Sequence, residues 1–121
     1  MSGLANDLIT KAQSFNLAEE IEDLHASAAW EEGDRISKTL IKTADIQITL
    51  LTLKEGASLE EHYPDCRTLI HQLSGTIRVN AVGATRQLEP GDLLILDRAV
   101  AYEITAVEDA AFLVTLAIAR P

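Results

Sequence analysis

The sequence predicts an all-β domain of two antiparallel sheets, preceded by one amphipathic helix. From Ile36 onward, short apolar or alternating runs are separated by turn residues, as is typical of a sandwich or barrel. Eight or nine strands in about eighty-five residues leave no room for crossover helices, so the sheets must be mainly antiparallel. The spacing before this point is helical instead. We therefore expect a helical extension over residues 1–35, packed on a β-barrel over residues 36–121.

The helix is predicted within NLAEEIEDLHASAAW. Asn16 is a suitable N-cap, and Glu19 follows three residues later, as in a capping box. Acidic residues of the first turns lie near the positive end of the helix dipole, on the expected solvent-exposed face. Apolar residues share the other face at helical spacing, which predicts that the helix covers part of the barrel. They are Leu17, Ile21, Leu24 and Ala28.

The strands are predicted from eight apolar or alternating runs, with turn signals such as Ser74-Gly75, Val82-Gly83 and Glu89-Pro90-Gly91 between successive members. The runs are ISKTLIKT, DIQITLLTL, CRTLIHQL, TIRVNAV, TRQL, DLLILD, AYEITAV and AAFLVTLAIA.

Composition limits the classes of partner. The 121 residues include ten Lys and Arg against nineteen Asp and Glu, a formal net charge of −9. This charge repels phosphate backbones and anionic lipid headgroups, so neither nucleic acid nor a membrane is an expected partner. The single cysteine cannot form an internal disulfide, and the N-terminus MSGLANDLITKAQ lacks a secretory pattern. A cytoplasmic location is the expectation.

The segment GASLEEHYPDCRTLIHQLSG carries a family resemblance. Gly56, His62 and Gly75 match the first motif of the cupins, G-x5-H-x-H-x3-E-x6-G, at the right spacing. Gly91 then opens the second motif, G-x5-P-x-G-x2-H-x3-N, after fifteen intervening residues. The sequence thus resembles the cupins, small barrels of the jelly-roll or double-stranded β-helix type. This resemblance implies a cupin barrel of two antiparallel sheets.

The metal-binding positions of those motifs depart from the family pattern. Metal-binding cupins use two His and one Glu of the first motif and one His of the second. The equivalent positions here are His62, Pro64, Thr68 and Tyr102. The resemblance therefore implies that the spacing of the fold is kept while most of the metal ligands are replaced.

Strand alternation predicts which side chains could line a pocket. If Thr68 points into the barrel then Gln72 does too, while His71 points outward unless a β-bulge turns it. The predicted ligand pocket consists of His62, Thr68, Gln72 and Tyr102, with Cys66 near the barrel mouth. Since only His62 is a strong ligand at neutral pH, no cofactor is required. A divalent transition metal on His62, joined by His71 if it turns inward, remains the alternative.

The leading hypothesis is a small-molecule-binding module for a neutral or weakly polar metabolite. The alternative is a metal-dependent cupin enzyme, of dioxygenase, isomerase or decarboxylase type, with a non-standard site around His62. Two further alternatives are an epimerase-like acid–base pair of His62 and Tyr102, and a structural dimer with a collapsed barrel interior. A homodimer is expected because ISKTLIKT and AFLVTLAIA are more apolar than one buried face requires.

Overall fold

The computed structural model describes residues 12–118 and confirms the two antiparallel sheets. A five-stranded sheet has the order β1-β2-β9-β4-β7, and a four-stranded sheet has the order β3-β8-β5-β6. The helices are α1 (Leu17–His25) and α2 (Ala28–Glu32). The strands are β1 (Arg35–Lys42), β2 (Ile46–Leu53), β3 (Ser58–Glu61), β4 (Cys66–Ser74), β5 (Ile77–Ala81), β6 (Ala84–Leu88), β7 (Leu93–Leu96), β8 (Tyr102–Ala106) and β9 (Ala110–Ile118).

The N-terminal helical region differs from the prediction in being two short helices. Asn16 is the predicted N-cap, and its side chain accepts a hydrogen bond from the Glu19 N–H at 3.0 Å. The chain then breaks at Ser27, whose hydroxyl donates to the Leu24 carbonyl and accepts from the Trp30 N–H. Because serine satisfies backbone groups in this way, it ends one helix and caps the next. Within residues 12–118, neither helix has the length and apolarity needed to cross a membrane.

Helix α1 covers the outer face of the five-stranded sheet. Leu24 is buried there against Leu40 of β1 and Leu50 of β2, with Ile36 and Leu113 packed around them. Strands β1 and β9 are therefore apolar beyond one barrel face because their other face contacts the helix. Part of the apolar surface of these strands, from which a dimer was expected, is therefore covered by the helix of the same chain.

The inner faces of both sheets form the main core. Its most deeply buried side chains lie toward the end of the barrel where β2 and β4 finish. They are Leu53, Ile70, Gln72, Ile77, Ile104 and Phe112, each with no exposed surface. We call this region the packed end; the opposite end, where β2 and β4 begin, is the mouth.

Two turns explain why the strands pair as they do. Gly75 has φ +71°, and a Cβ built there would lie 2.1 Å from the Asp109 carbonyl oxygen, so only glycine fits. Val82 and Gly83 both have positive φ, as in the two-residue hairpin turn that matches strand twist, and they join β5 to β6.

Candidate functional site

A cavity of about 240 Å³ lies at the mouth of the barrel. Apolar side chains from β2, β3 and β9 form one part of its wall, and hydroxyl, amide and carboxylate groups form the rest. The apolar lining residues are Leu51, Leu59, Val114 and Leu116. The polar ones are Ser37, Thr39, Gln47, Thr49, Glu61, Tyr63 and Tyr102. We call this space the mouth cavity.

Strand register places Glu61 and Tyr102 side by side in this wall. In the β3–β8 pair, Leu59 lies opposite Ile104 and Glu61 lies opposite Tyr102. Ile104 is fully buried in the core, so alternate residues of β3, Leu59 and Glu61, share its face of the sheet. Residue 61 is therefore brought to the cavity by the same alternation that buries Leu59.

The two tyrosines of the mouth are held in their neutral form. Burial raises the pKa of Tyr63 to about 12, and the negative charge of Glu61 and a hydrogen bond between the two side chains add to the increase. Burial also raises the pKa of Tyr102, with smaller contributions from Tyr63 and Glu61, while a hydrogen bond to Thr68 acts in the opposite direction. At neutral pH both phenols can donate a hydrogen bond, and the Tyr63 hydroxyl donates to the Glu61 carboxylate.

An open groove of about 560 Å³ adjoins the mouth cavity and shares Glu61 and Tyr102 with it. It runs over the ends of β3, β5 and β8 on the outside of the barrel. Glu60, Glu103 and Asn80 line it together with His62. We call this surface the outer groove. Three of its nine described lining residues are glutamates, which extends the negative charge of Glu61, while Ala81, Val82 and Ala101 add apolar surface.

The structure corrects the inward placement predicted for His62. His62 is exposed and lines the outer groove. It does not line the mouth cavity. The physical reason is alternation: Leu59 and Glu61 point into the barrel, so the residue that follows Glu61 points away. The spacing match to the cupin motif located the correct segment of the chain. The residues of this segment that reach inward are Glu61 and Tyr63, on either side of His62.

Gln72 is buried as predicted, but it does not line the cavity. Its Nε2 donates to the carbonyls of Ser74 and Gly75, at 2.7 and 2.9 Å, and fastens the turn after β4. Its Oε1 is buried without a partner among the described residues. The amide therefore belongs to the packed end of the barrel, and its predicted role as a pocket residue is corrected.

Thr68, Cys66 and Tyr102 lie near the mouth as expected, but only Tyr102 lines the cavity. Thr68 is 2% exposed and does not line the cavity, although a hydrogen bond to it lowers the pKa of Tyr102 against the larger effect of burial. Cys66 is half-buried and packs against the barrel core. Of the five predicted pocket residues, Tyr102 alone contacts both the mouth cavity and the outer groove.

The second histidine of the segment, which was expected to join His62 only if it turned inward, lies on the outside of the barrel. His71 is exposed on the outer face of β4, where Leu93 of β7 and Leu113 of β9 are its register partners. It therefore lies on the opposite side of the sheet from the barrel interior. Within residues 12–118, no group of three or more His, Cys, Asp or Glu side chains is arranged to hold a metal ion.

Sequence reasoning missed Glu61 and Tyr63, together with the polar residues of β1 and β2. The signal was present in SLEE, where Leu59 and Glu61 share one face if the segment is a strand, and Ser58 and Glu60 share the other. This four-residue segment was not among the eight predicted runs because it contains a single apolar residue. Without β3, the inward position of Glu61 could not be assigned.

Comparison with solved structures identifies the fold. A conserved protein of unknown function from Streptococcus pyogenes superposes with a TM-score of 0.73 at 19% identity, with 93% of each chain covered. A cupin superfamily protein from Desulfitobacterium hafniense gives a TM-score of 0.67 at 24% identity over 70% of this chain and 78% of that one. Neither a protein-family model nor a curated protein sequence matches the chain.

The chain therefore has the cupin fold, as the sequence motifs predicted. Proteins that share this fold include enzymes, and one of them is similar to this chain over most of its length. Salicylate 1,2-dioxygenase from Pseudoaminobacter salicylatoxidans has a TM-score of 0.78 at 14% identity, covering 97% of this chain but 36% of the dioxygenase. At these identities the likeness establishes the architecture, and the activity has to be argued from the site.

Proposed function

We propose that this chain is a small-molecule-binding module whose ligand enters the mouth cavity. The observation that carries the proposal is the cavity itself, about 240 Å³, with an apolar wall and a few polar groups on one side. Apolar surface supplies most of the affinity in such sites, and a small number of donors and acceptors fixes the orientation of the ligand. Tyr102 would be a donor to the ligand, and Glu61 the acceptor.

The size of the cavity limits the ligand. Sites for drug-sized molecules usually occupy about 300–1,000 Å³, so a smaller space takes a ligand on the order of ten non-hydrogen atoms. Such a molecule would contact Leu51 and Val114 with its carbon skeleton and place its polar end toward Glu61.

The alternative of a metal-dependent enzyme has less support from the geometry. His62 lies in the outer groove and His71 lies on the outer sheet face, so the two imidazoles cannot meet at one ion inside the barrel. We derive no catalytic step through a metal.

The test compares binding with the cavity open and filled. Leu51→Phe replaces a leucine of the cavity wall with a larger aromatic side chain, which should fill part of the cavity. Thr85→Phe adds the same aromatic ring at an exposed position of β6 and serves as the control. A library of fragments of about ten atoms is screened by ligand-detected NMR, using protein treated with chelator and checked by elemental analysis. We expect hits with the wild type and with Thr85→Phe that disappear with Leu51→Phe. Hits that survive in Leu51→Phe, or that require added metal, would overturn the proposal.

We also propose that a second copy of the chain pairs along the edge strand β7. The other three sheet edges carry charged side chains, including Lys38 and Lys42 on β1, Glu60 on β3 and Arg86 on β6. Strand β7 is LLIL, without a charge, and its outward-facing Leu93 and Ile95 are 55% and 59% exposed. Charges on edge strands oppose strand addition, so β7 is the edge left open to it. Antiparallel pairing of β7 with its own copy would satisfy a two-fold axis.

Size-exclusion chromatography with light scattering measures the molecular mass in solution and tests this second proposal. We expect a mass near twice the 13.2 kDa of one chain for the wild type. Ile95→Lys should shift the mass to that of a monomer, whereas Thr85→Lys on the β6 edge should leave the dimer intact. A monomeric wild type, or a dimer unchanged by Ile95→Lys, would contradict the use of this edge.

A further inference from the structure

Among residues 12–118, the wall of the mouth cavity contains a carboxylate but no cationic side chain. Glu61 is the one carboxylic acid among the described lining residues, and none of them is Lys, Arg or His. The ion pairs formed within residues 12–118 join Arg35 to Asp34, Lys38 to Glu20, and Arg67 to Asp97, so Glu61 belongs to none of them. Its negative charge is therefore not balanced by a neighbouring side chain of the described chain.

The hydrogen bonds that reach Glu61 leave acceptor capacity free. A carboxylate offers about four lone-pair sites, and the Tyr63 hydroxyl uses one of them. Tyr102, which lies opposite Glu61 in the sheet register, is engaged with Thr68. The half-buried carboxylate can thus accept further hydrogen bonds from a donor placed in the cavity.

The surroundings of the cavity extend this negative character outward. The outer groove adds Glu60 and Glu103 beside the shared Glu61, and the whole chain has a net charge of −9. Such a field repels anions approaching the mouth and raises the local concentration of cations. A ligand with a carboxylate or phosphate would meet Glu61 without a compensating positive group among the described residues that line the cavity.

The remaining wall suits the body of an organic cation. Two tyrosine rings, Tyr63 and Tyr102, border the space, and aromatic rings attract cations through their negative faces. Leu51, Val114 and Leu116 offer an apolar surface for a short carbon chain. The combination is a carboxylate with two aromatic rings at one side and an aliphatic wall at the other.

We infer that the ligand of the mouth cavity is a small organic ammonium ion, whose charged nitrogen donates to Glu61 and whose aliphatic body contacts Leu51 and Val114. This inference rests on the proposed binding function and narrows its ligand from any small molecule to a cation. A charge-assisted hydrogen bond to a half-buried carboxylate is about twice as strong as a neutral one, so the ammonium group dominates selection.

Three probes of equal chain length test the inference: pentylammonium, 1-pentanol and pentanoate. They share an aliphatic body that fits the cavity, and they differ in the charge of the polar end. Dissociation constants are measured by NMR titration of isotope-labelled protein at constant ionic strength. We expect pentylammonium to bind about tenfold more tightly than 1-pentanol. Pentanoate should show no saturable binding.

Adjacent glutamates provide a matched pair of variants. Glu61→Gln should remove the preference for pentylammonium over 1-pentanol, because the carboxylate becomes a neutral amide of similar shape. Glu60→Gln, one residue away and exposed in the outer groove, should change the pentylammonium affinity by less than about twofold, since an exposed charge is screened by solvent and salt. Equal effects of the two substitutions would overturn the inference.

The binding function and the ammonium inference can fail separately. If pentylammonium and 1-pentanol bind equally and both are lost in Leu51→Phe, the cavity binds ligands but does not select the charge, and only the inference is overturned. If pentylammonium binding persists in Leu51→Phe, the cation sits outside the cavity, and the inference is again overturned. If neither these probes nor any neutral fragment binds in a manner that Leu51→Phe abolishes, the binding function falls as well.

Discussion

The same strands build the two ends of the barrel, but the ends differ in what fills them. Along β2, Leu53 at the packed end is fully buried, whereas Leu51, Thr49 and Gln47 border the mouth cavity in turn. Strand β8 shows the same gradient, from Ala106 and Ile104 in the core to Tyr102 at the mouth. Alternation decides which residues point inward at both ends, and their chemical type decides whether they close the space.

Polar residues at the mouth keep the space open for a physical reason. A buried hydroxyl or carboxylate requires a hydrogen-bond partner, so such groups cannot pack against one another as leucine and phenylalanine do. At the packed end the buried polar side chains have such partners: Gln72 is tied to the carbonyls of its own turn, and the Thr76 hydroxyl to Glu89 and Glu108. The comparison shows that the tightest packing lies at one end of the barrel and open space at the other.

Truncating one leucine at each end should produce the largest difference between them. Leu53→Ala removes a fully buried side chain and should lower the free energy of unfolding by about 3–5 kcal/mol. Leu51→Ala, two residues away on the same face of β2, enlarges a space that already exists and should cost less than about 2 kcal/mol. Urea denaturation followed by circular dichroism measures both.

The chemical change is identical in the two variants, so intrinsic strand propensity is matched. Equal losses of stability would mean that the mouth is packed as tightly as the opposite end, and the distinction between the ends would fail. A larger loss for Leu51→Ala would reverse it.

The pKa values of the two tyrosines report on the mouth alone, and their shifts should affect the free energy of unfolding less than the leucine truncations do. Tyr63 and Tyr102 are the two tyrosines of the chain, and both line the mouth cavity. Since the pKa of Tyr63 is raised to about 12 and that of Tyr102 is also raised, the folded protein should show little phenolate absorbance near pH 10.5. In denaturant both should ionise near their ordinary pKa of about 10.

The same shifts fix the direction of the stability change with pH. A folded pKa above the unfolded value stabilises the fold fully below about pH 10. For Tyr63, that stabilisation is lost as the pH rises from about 10 through 12. The loss should be smaller in Tyr63→Phe, measured by urea denaturation across this range. A folded protein whose tyrosines both ionise near pH 10 would show that the mouth is fully solvated.

Much of the fold could be predicted because its signals are local. The eight runs coincide with strands, and the residues at positions 68, 70 and 72 point inward while His71 points outward, as alternation requires. The helical region was predicted less well, because Ser27 satisfies backbone groups on both sides and splits one predicted helix into two.

The candidate site was harder to predict because it depends on a strand with little sequence signal. In SLEE, only the pairing of β3 with β8 shows that Glu61 lies opposite Tyr102 and that His62 therefore faces the outer groove. A displacement of one residue along a strand moves a side chain to the other face of the sheet. The motif spacing could not resolve that displacement.

The fold class, the positions of most strands, the cap at Asn16 and the net negative charge can all be predicted from the sequence, since each depends on neighbouring residues or on composition. Tertiary structure alone decided that Glu61, Tyr63 and Tyr102 share one cavity wall, and that Gln72 fastens a turn instead of binding a ligand. These outcomes depend on contacts between strands distant in the chain, whose register is set by the packing of the whole barrel.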